Sequence, residues 1–429
     1  MSTAPLRRVL ILCYDFPPRG STSVLRVTKF VRYLPQFGWQ PVVVTAAVRG
    51  GMRDEALLAQ LPTDLEALRV ENRFTAGAVE PSTASAASAG RPALRARLRR
   101  SLRAAFIPDP QILWVPAAVQ TASARIRQGD IAALLTTAPP FSVQLAGLWL
   151  KRRFPALPWI MDMRDIWSEN PAIASPPIYK LQRAAERWCV EHADRIITAT
   201  DGQRRLIEQS FGLPAARLRT ITNGFDPLDV PQLAPAQTRT ALRLTYVGSI
   251  IGTRAAAAAG FFAALRALAA GGVTAQQLEV RLIGIFDPSI HAWAAPLVEQ
   301  GIVQLLPFMP YADAYAEMAA ADALLLTTSD DREGRLSHPN KLFEYFAVGR
   351  PLLALTPPGD VARLVQEAGV GVVASPGATN QIVAALRELL AEHQAGRLRR
   401  FAPNDPRFAR FERQALTAQL AAELDELTR

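Results

Sequence analysis

A lysine and a glutamate three residues apart are the most informative pair in the sequence. Lys341 and Glu344 lie in the stretch HPNKLFEYFAVGRP. Residues with this spacing share one face of a helix, so the helix would present an ammonium group and a carboxylate together. The cation suits a diphosphate, and the carboxylate suits a pair of hydroxyl groups. A surface ion pair is the alternative interpretation.

A glycine-containing turn follows the first predicted strand of each half of the chain. Gly20 precedes the first helix, and Gly248 with Ser249 precedes the first helix of the second half. Helix N-termini expose backbone N–H groups and the positive end of the helix dipole, which suit phosphate groups. An ordinary turn between strand and helix remains the competing explanation for each glycine.

A third group of candidates follows the strand predicted at 158–162. Asp162, Arg164 and Asp165 stand at its carboxyl end, which is where α/β proteins bind ligands. We expect them to position a sugar or an acceptor. A structural ion pair between Arg164 and Asp165 is equally compatible with the sequence.

Several kinds of enzyme lack their sequence signature here. The chain contains no GxGxxG after its first strand, no GxxxxGK[ST] and no GxSxG, which removes the main support for dinucleotide binding, P-loop hydrolysis and Ser-His hydrolysis. Its two cysteines, Cys13 and Cys189, are far apart and only four histidines are present. Neither a disulfide nor a zinc site is indicated.

The elements that must position these residues alternate between strand and helix. Short Val/Ile/Leu runs separated by helical patterns predict an α/β fold with parallel sheets. The Pro-rich segment 226–242 is typical of a linker, after which the pattern restarts. We therefore predict a first domain over 1–225, a second over 243–405, and a C-terminal helix over 406–429 that crosses back to the first domain.

The net charge of +10 is unevenly distributed. Residues 1–240 contain 31 Lys and Arg against 19 Asp and Glu, a net charge of +12, which leaves −2 for the remainder. An anionic partner is indicated for the first half, either nucleic acid or a phospholipid surface.

A basic amphipathic pattern at 91–107 favours the lipid interpretation. Leu94, Leu98, Leu102 and Phe106 recur every four residues. They are flanked by basic residues that we expect to contact the membrane or the acceptor: Arg95, Arg97, Arg99 and Arg100. Such a helix can lie among lipid headgroups. The alternative is a surface helix whose leucines pack on the domain.

Six segments in order resemble the bacterial family 4 glycosyltransferases. The longest are PNKLFEYFAVGRPLLAL and YDFPPRGSTSVLRVTKFVRYLPQFGWQPVVVT, joined by MDMRDIWSENP, ADRIITAT, TNGFD and LTYVGSI. The resemblance implies the GT-B fold, in which two Rossmann-like domains face an interdomain cleft. It also implies a retaining transfer of sugar from a nucleotide donor, without a catalytic metal or other cofactor.

The resemblance assigns roles by position. Glu344 corresponds to the residue that binds the ribose hydroxyls, and Arg254 with Lys341 to the groups that bind the diphosphate. Gly20 would let the backbone approach the phosphates, and Gly284 ends the strand beside which the base stacks. Gly248 and Ser249 complete the predicted donor site.

The sequence departs from the family pattern at two places. Leu336 stands where a glutamate is expected eight residues before Glu344, with Glu333 as a possible substitute. The histidine that many relatives carry is replaced by Arg164, followed by Asp165. Together with Glu344, these two residues form the predicted catalytic set.

The expected function is sugar transfer to a lipid-linked or polysaccharide acceptor at the inner face of the cytoplasmic membrane. The protein would be cytoplasmic and peripheral, because its apolar N-terminal run is too short for a span. A non-catalytic protein that binds nucleotide sugars or glycans is the alternative, which Leu336 permits. Nucleic acid is not expected as a partner, since no helix-turn-helix or aromatic platform accompanies the charge.

Overall fold

The chain divides into two compact units. The structure, a computed structural model, describes residues 6–20, 22–47, 53–72, 106–170, 176–230, 239–402 and 405–429. Unit 1 comprises Met1–Thr222 and Arg413–Arg429, and unit 2 comprises Asn223–Glu412. The division after residue 222 lies three residues before the boundary that the sequence predicts.

Unit 1 contains a parallel sheet of seven strands in the order β3-β2-β1-β4-β5-β6-β7. The strands are β1 (Arg7–Leu12), β2 (Trp39–Ala46), β3 (Glu66–Val70), β4 (Ile131–Ala138), β5 (Trp159–Met163), β6 (Arg195–Thr198) and β7 (Leu218–Thr220). The helices between them are α1 (Thr22–Tyr33), α2 (Val115–Ile126), α3 (Ser142–Arg153), α4 (Pro176–His192) and α5 (Asp201–Phe211). Helices cover both faces of the sheet, which explains the continuous apolar runs.

Strand β1 shows how this pattern arises. Val9 and Ile11 belong to the core cluster on one face of the sheet, and Leu10 and Leu12 belong to the cluster on the other. Successive side chains of a strand point to opposite faces, so both sets must be apolar when both faces are buried.

Unit 2 contains a parallel sheet of six strands in the order β10-β9-β8-β11-β12-β13. The strands are β8 (Leu242–Val247), β9 (Leu278–Ile283), β10 (Val303–Leu306), β11 (Ala323–Thr327), β12 (Leu352–Leu355) and β13 (Gly371–Ala374). The helices are α6 (Thr253–Ala270), α7 (Pro288–Glu299), α8 (Tyr311–Ala319), α9 (Arg332–Leu336), α10 (Asn340–Val348), α11 (Asp360–Ala368) and α12 (Thr379–Gln394). The predicted α/β class with two Rossmann-like sheets is confirmed.

The last helix, α13 (Arg413–Leu427), belongs to unit 1. Leu416, Leu420 and Leu424 are buried in the same cluster as Phe30 of α1. The helix begins at residue 413 because the preceding residues, including the buried Phe408 and Phe411, pack in the core of unit 2. None of the described helices is long and apolar enough to cross a membrane.

Candidate active site

In unit 2, the strand order reverses between β8 and β11, and the carboxyl end of such a pair is where open α/β sheets bind ligands. Strand β8 leads there into Gly248, which has a φ of 131°. A Cβ atom on Gly248 would lie 2.4 Å from Nζ of Lys341. Only glycine therefore fits both the backbone conformation and the space that the lysine occupies.

A second glycine brings the neighbouring loop against the first. Gly284 follows β9 with a φ of 146°, and a Cβ there would lie 2.1 Å from the carbonyl oxygen of Gly248. The carbonyl oxygen of Gly248 belongs to the backbone, so it cannot turn away as a side chain could. Gly284 thus has a structural reason to be glycine, and the sequence alone assigned it only beside the base.

Lys341 lies in the first turn of α10 and points at the end of β8. Its Nζ donates a hydrogen bond to Oη of Tyr246 at 2.7 Å and lies 4.0 Å from the centroid of that ring. The Tyr246 hydroxyl in turn donates to the carbonyl oxygen of Ser249 at 3.0 Å. Sequence reasoning missed Tyr246, because a tyrosine inside an apolar strand resembles an ordinary core residue.

The surroundings make Lys341 an unusually weak base. Burial and, to a lesser degree, the nearby charge of Arg254 together lower its pKa to about 7, and the Glu344 carboxylate opposes both effects. Arg254 stands in the first turn of α6, where the helix dipole disfavours a cation. Within the described ranges, no carboxylate is in ion-pair contact with Lys341 or Arg254. An anion placed here would relieve this repulsion.

Glu344, one turn further along α10, faces a pair of tyrosines. Burial and then the Glu344 carboxylate raise the pKa of Tyr315. The Tyr315 ring packs edge-on against Tyr311, with 4.9 Å between the centroids. The Glu344 carboxylate also acts on the pKa of Lys341, so the two charged groups lie near each other on α10.

Leu336, the departure from the family pattern, is the half-buried last residue of α9. Asp331 organises this loop by accepting hydrogen bonds from Gly334 N at 2.9 Å and Ser329 Oγ at 2.7 Å. Glu333 lies in the first turn of α9 and is half-buried.

In unit 1, the guanidinium group of Arg164 is held by main-chain carbonyls. It donates to Ala138 O at 3.0 Å, to Pro139 O at 2.8 Å and to Ser23 O. Burial lowers the pKa of Arg164, and the charges of Asp165 and Asp162 oppose that shift. These contacts tie the end of β4 to the first turn of α1, and the catalytic role of Arg164 stays a prediction.

Asp162 is occupied by an arginine that the sequence analysis did not single out. Arg26 Nη2 lies 2.8 Å from Oδ1 and its Nε 3.1 Å from Oδ2, while Thr137 Oγ1 also donates to Oδ2 at 2.8 Å. Both charged side chains are no more than 2% exposed. Arg26 also donates to the carbonyl oxygens of Ile221 and Thr222, where the chain leaves unit 1.

The remaining predicted residues are Gly20, Asp165 and the four arginines of the basic segment. Gly20 is buried, and a Cβ there would lie 3.1 Å from Cβ of Asp54, so this glycine packs against the segment at 53–54. Asp165 is half-buried next to Arg164. The basic segment with Arg95, Arg97, Arg99 and Arg100 lies outside the described residues.

Solved structures share the fold of this chain at low sequence identity. No curated protein matches the sequence at a significant level. Among solved structures, sucrose-phosphate synthase from Thermosynechococcus elongatus is 15% identical, with a TM-score of 0.64 over 98% of this chain and 99% of that one. A glycosyltransferase from Rickettsia africae ESF-5 is 11% identical, with a TM-score of 0.63 over 99% and 100% of the two chains.

A third structure, the lipopolysaccharide outer core galactosyltransferase WaaB, is 12% identical, with a TM-score of 0.60 over 98% of this chain and 99% of that one. These likenesses confirm the GT-B fold class. Residues 22–224 match the model of the glycosyl transferase 4-like domain, and residues 241–392 match that of glycosyl transferases group 1. The protein thus carries the two domains of a glycosyltransferase, in the order that the sequence resemblance implies.

Proposed function

We propose that the protein transfers a sugar from a nucleoside diphosphate donor to a lipid-linked or polysaccharide acceptor at the cytoplasmic face of a membrane. The observation that carries this proposal is the pair of cations, Lys341 and Arg254, gathered at the end of β8 without a carboxylate in contact among the described residues. Two cations brought together in this way repel each other, and a diphosphate compensates both charges.

The leaving diphosphate explains why these groups matter to the reaction. Negative charge develops on it as the bond to the sugar breaks, and positioned cations stabilise that charge more in the transition state than in the ground state. Lys341 and Arg254 would do so without a catalytic metal. Glycine at positions 248 and 284 leaves the backbone beside Lys341 without side chains, and Ser249 lies in the same turn as Gly248.

Glu344 is proposed to accept hydrogen bonds from the ribose hydroxyls, since a carboxylate can accept from two donors at once. Asp165 is proposed to orient the acceptor or the donor sugar, with Arg164 and Gly20 as positioning residues. Retention of the anomeric configuration is proposed from the resemblance. The anomeric configuration of the product measures it directly.

The test is donor-dependent release of nucleoside diphosphate, screened across UDP-, GDP- and dTDP-sugars. A productive donor should give release that Glu344→Ala lowers by raising KM, with the melting temperature unchanged. Binding of a donor without release under any acceptor condition would instead support a non-catalytic binding protein. Kinetics unchanged by Glu344→Ala would remove this residue from the site.

A further inference from the structure

Helices α3 and α4 of unit 1 lie side by side and expose large apolar side chains. Trp149 is 48% exposed, Trp188 is 55% exposed and Leu181 is 58% exposed. By contrast, four other tryptophans of unit 1 are less than 2% exposed: Trp39, Trp114, Trp159 and Trp167. Single exposed apolar residues are common, but a group on one face indicates a partner.

Cations surround these side chains. Arg152 and Arg153 follow Trp149 on α3, and Lys180 and Arg187 flank Leu181 and Trp188 on α4, all of them exposed. Arg152 lies over the ring of Trp188, 5.8 Å from its centroid, which places the two helices' exposed residues in one surface. We call these seven residues the α3–α4 face.

The charge of the α3–α4 face limits what can cover it. Its four cations are accompanied on the same helices by one exposed acidic residue, Glu191, which pairs with Arg187 at 3.4 Å. A second copy of the face would bring like charges together. The segment 91–103 would do the same, because it contains six arginines and no acidic residue.

An anionic bilayer satisfies both properties of this surface. Tryptophan rings favour the boundary between headgroups and acyl chains, because one end of the ring is apolar and the other is polar. Arginine and lysine gain free energy near anionic headgroups while their apolar stems pack beside the rings. Nucleic acid would supply the negative charge but no acyl chains beside which the exposed apolar side chains could pack.

We propose that the α3–α4 face docks unit 1 on an anionic phospholipid surface, with Trp149 and Trp188 inserted at the level of the headgroups. This inference rests on the proposed function, since it supplies the contact through which unit 1 would reach a lipid-linked acceptor. None of the residues of the α3–α4 face belongs to the 91–107 segment.

The experiment is cosedimentation of the full chain with vesicles of phosphatidylglycerol and phosphatidylethanolamine, compared with vesicles of phosphatidylcholine alone. The native protein should bind the anionic vesicles. Arg152→Gln with Arg153→Gln should weaken binding about 30-fold, as expected for two cations at an anionic surface. Trp149→Ala with Trp188→Ala should weaken it about tenfold.

Matched controls use exposed residues of unit 2. Arg397→Gln with Arg399→Gln removes the same charge, and Phe308→Ala removes an aromatic that is 59% exposed. Both should leave vesicle binding unchanged. Lipids brominated in the acyl chain should quench tryptophan fluorescence in the native protein, and this quenching should be lost in the double tryptophan variant.

Three outcomes would overturn the proposal: equal binding to both kinds of vesicle, full binding by the double tryptophan variant, or a native dimer that this variant converts to monomers. The proposed glycosyl transfer is judged separately, by nucleoside diphosphate release in solution without vesicles. The double tryptophan variant should retain that release, so a loss of docking and a lack of transferase activity are distinguishable.

Discussion

The six strands of unit 2 follow the same order as the first six of unit 1, but the cations at the carboxyl ends of the two sheets have opposite surroundings. In unit 1, Arg26 makes a two-point ion pair with Asp162, and Arg164 donates to three carbonyls. In unit 2, Lys341 donates to a hydroxyl and lies near the cation Arg254. At the sheet end of unit 1, each of these cations is held by a carboxylate or by carbonyl oxygens. At the sheet end of unit 2, two cations lie near each other.

This difference shows that net charge does not locate an anion site. The first half of the chain carries the excess of +12, and the remainder is slightly acidic. The neighbouring cations Lys341 and Arg254 nevertheless lie in the second half, because burial and repulsion between charges depend on groups a few ångströms away and not on net charge. The distributed charge of unit 1 is better suited to a surface than to a compact ligand.

Removing the buried ion pair between Arg26 and Asp162 in unit 1 should have the largest effect. Arg26→Met leaves the buried Asp162 carboxylate without its partner and should lower the free energy of unfolding of unit 1 by about 3 to 5 kcal/mol. Denaturant unfolding followed by tryptophan fluorescence measures this, since most tryptophans lie in unit 1. The exposed pair of Arg53 and Glu55 is the control, and Arg53→Met should cost less than about 1 kcal/mol. Equal effects of the two changes would refute a special role for Arg26.

Removing the ammonium group of Lys341 in unit 2 should lower activity without lowering stability. Lys341→Met should lower kcat/KM for the donor about 100- to 1,000-fold, as found when one group that stabilises developing charge is lost. The free energy of unfolding should stay level or rise, because a desolvated charge disappears. Steady-state kinetics and denaturant unfolding are measured on the same sample. A clear loss of stability with intact kinetics would make Lys341 a structural residue.

The smallest expected effect is a change in donor affinity with pH. The pKa of Lys341 near 7 means that the free protein loses this charge as the pH rises above 7. A bound diphosphate favours the protonated lysine, so the Kd of the donor should rise with pH, by up to about tenfold per pH unit. Titration calorimetry at pH 6 to 9 measures it. Lys341→Arg keeps its charge and should give a flat profile, and a flat profile in the native protein would contradict this assignment.

The alternation of strand and helix could be predicted from the sequence because buried parallel strands need long apolar runs. β3 and β7 are short, with mostly half-buried residues, and gave no such signal. The start of α13 was also predicted too early, since residues 406–412 pack in unit 2 and only tertiary contacts reveal that.

At the site, local spacing sufficed where one helix carries both groups, as with Lys341 and Glu344. It did not suffice for Arg26, whose partner Asp162 is 136 residues away and lies on a different element. The same limit applies to Gly20, for which the sequence suggested phosphate binding. A Cβ atom at Gly20 would lie 3.1 Å from Cβ of Asp54, on another segment, and phosphate binding by Gly20 stays a prediction.

The placement of α13 has a consequence for how the chain is synthesised. The first 222 residues leave the ribosome long before residues 413–429, yet Leu416, Leu420 and Leu424 complete the core beside α1. The ion pairs of Arg195 also cannot form until these residues are made, because Glu423 and Glu426 lie 3.0 Å and 2.8 Å from its guanidinium group. Unit 2 is a single continuous segment, whereas unit 1, although its first 222 residues are translated earlier, cannot complete its core until residues 413–429 have been made.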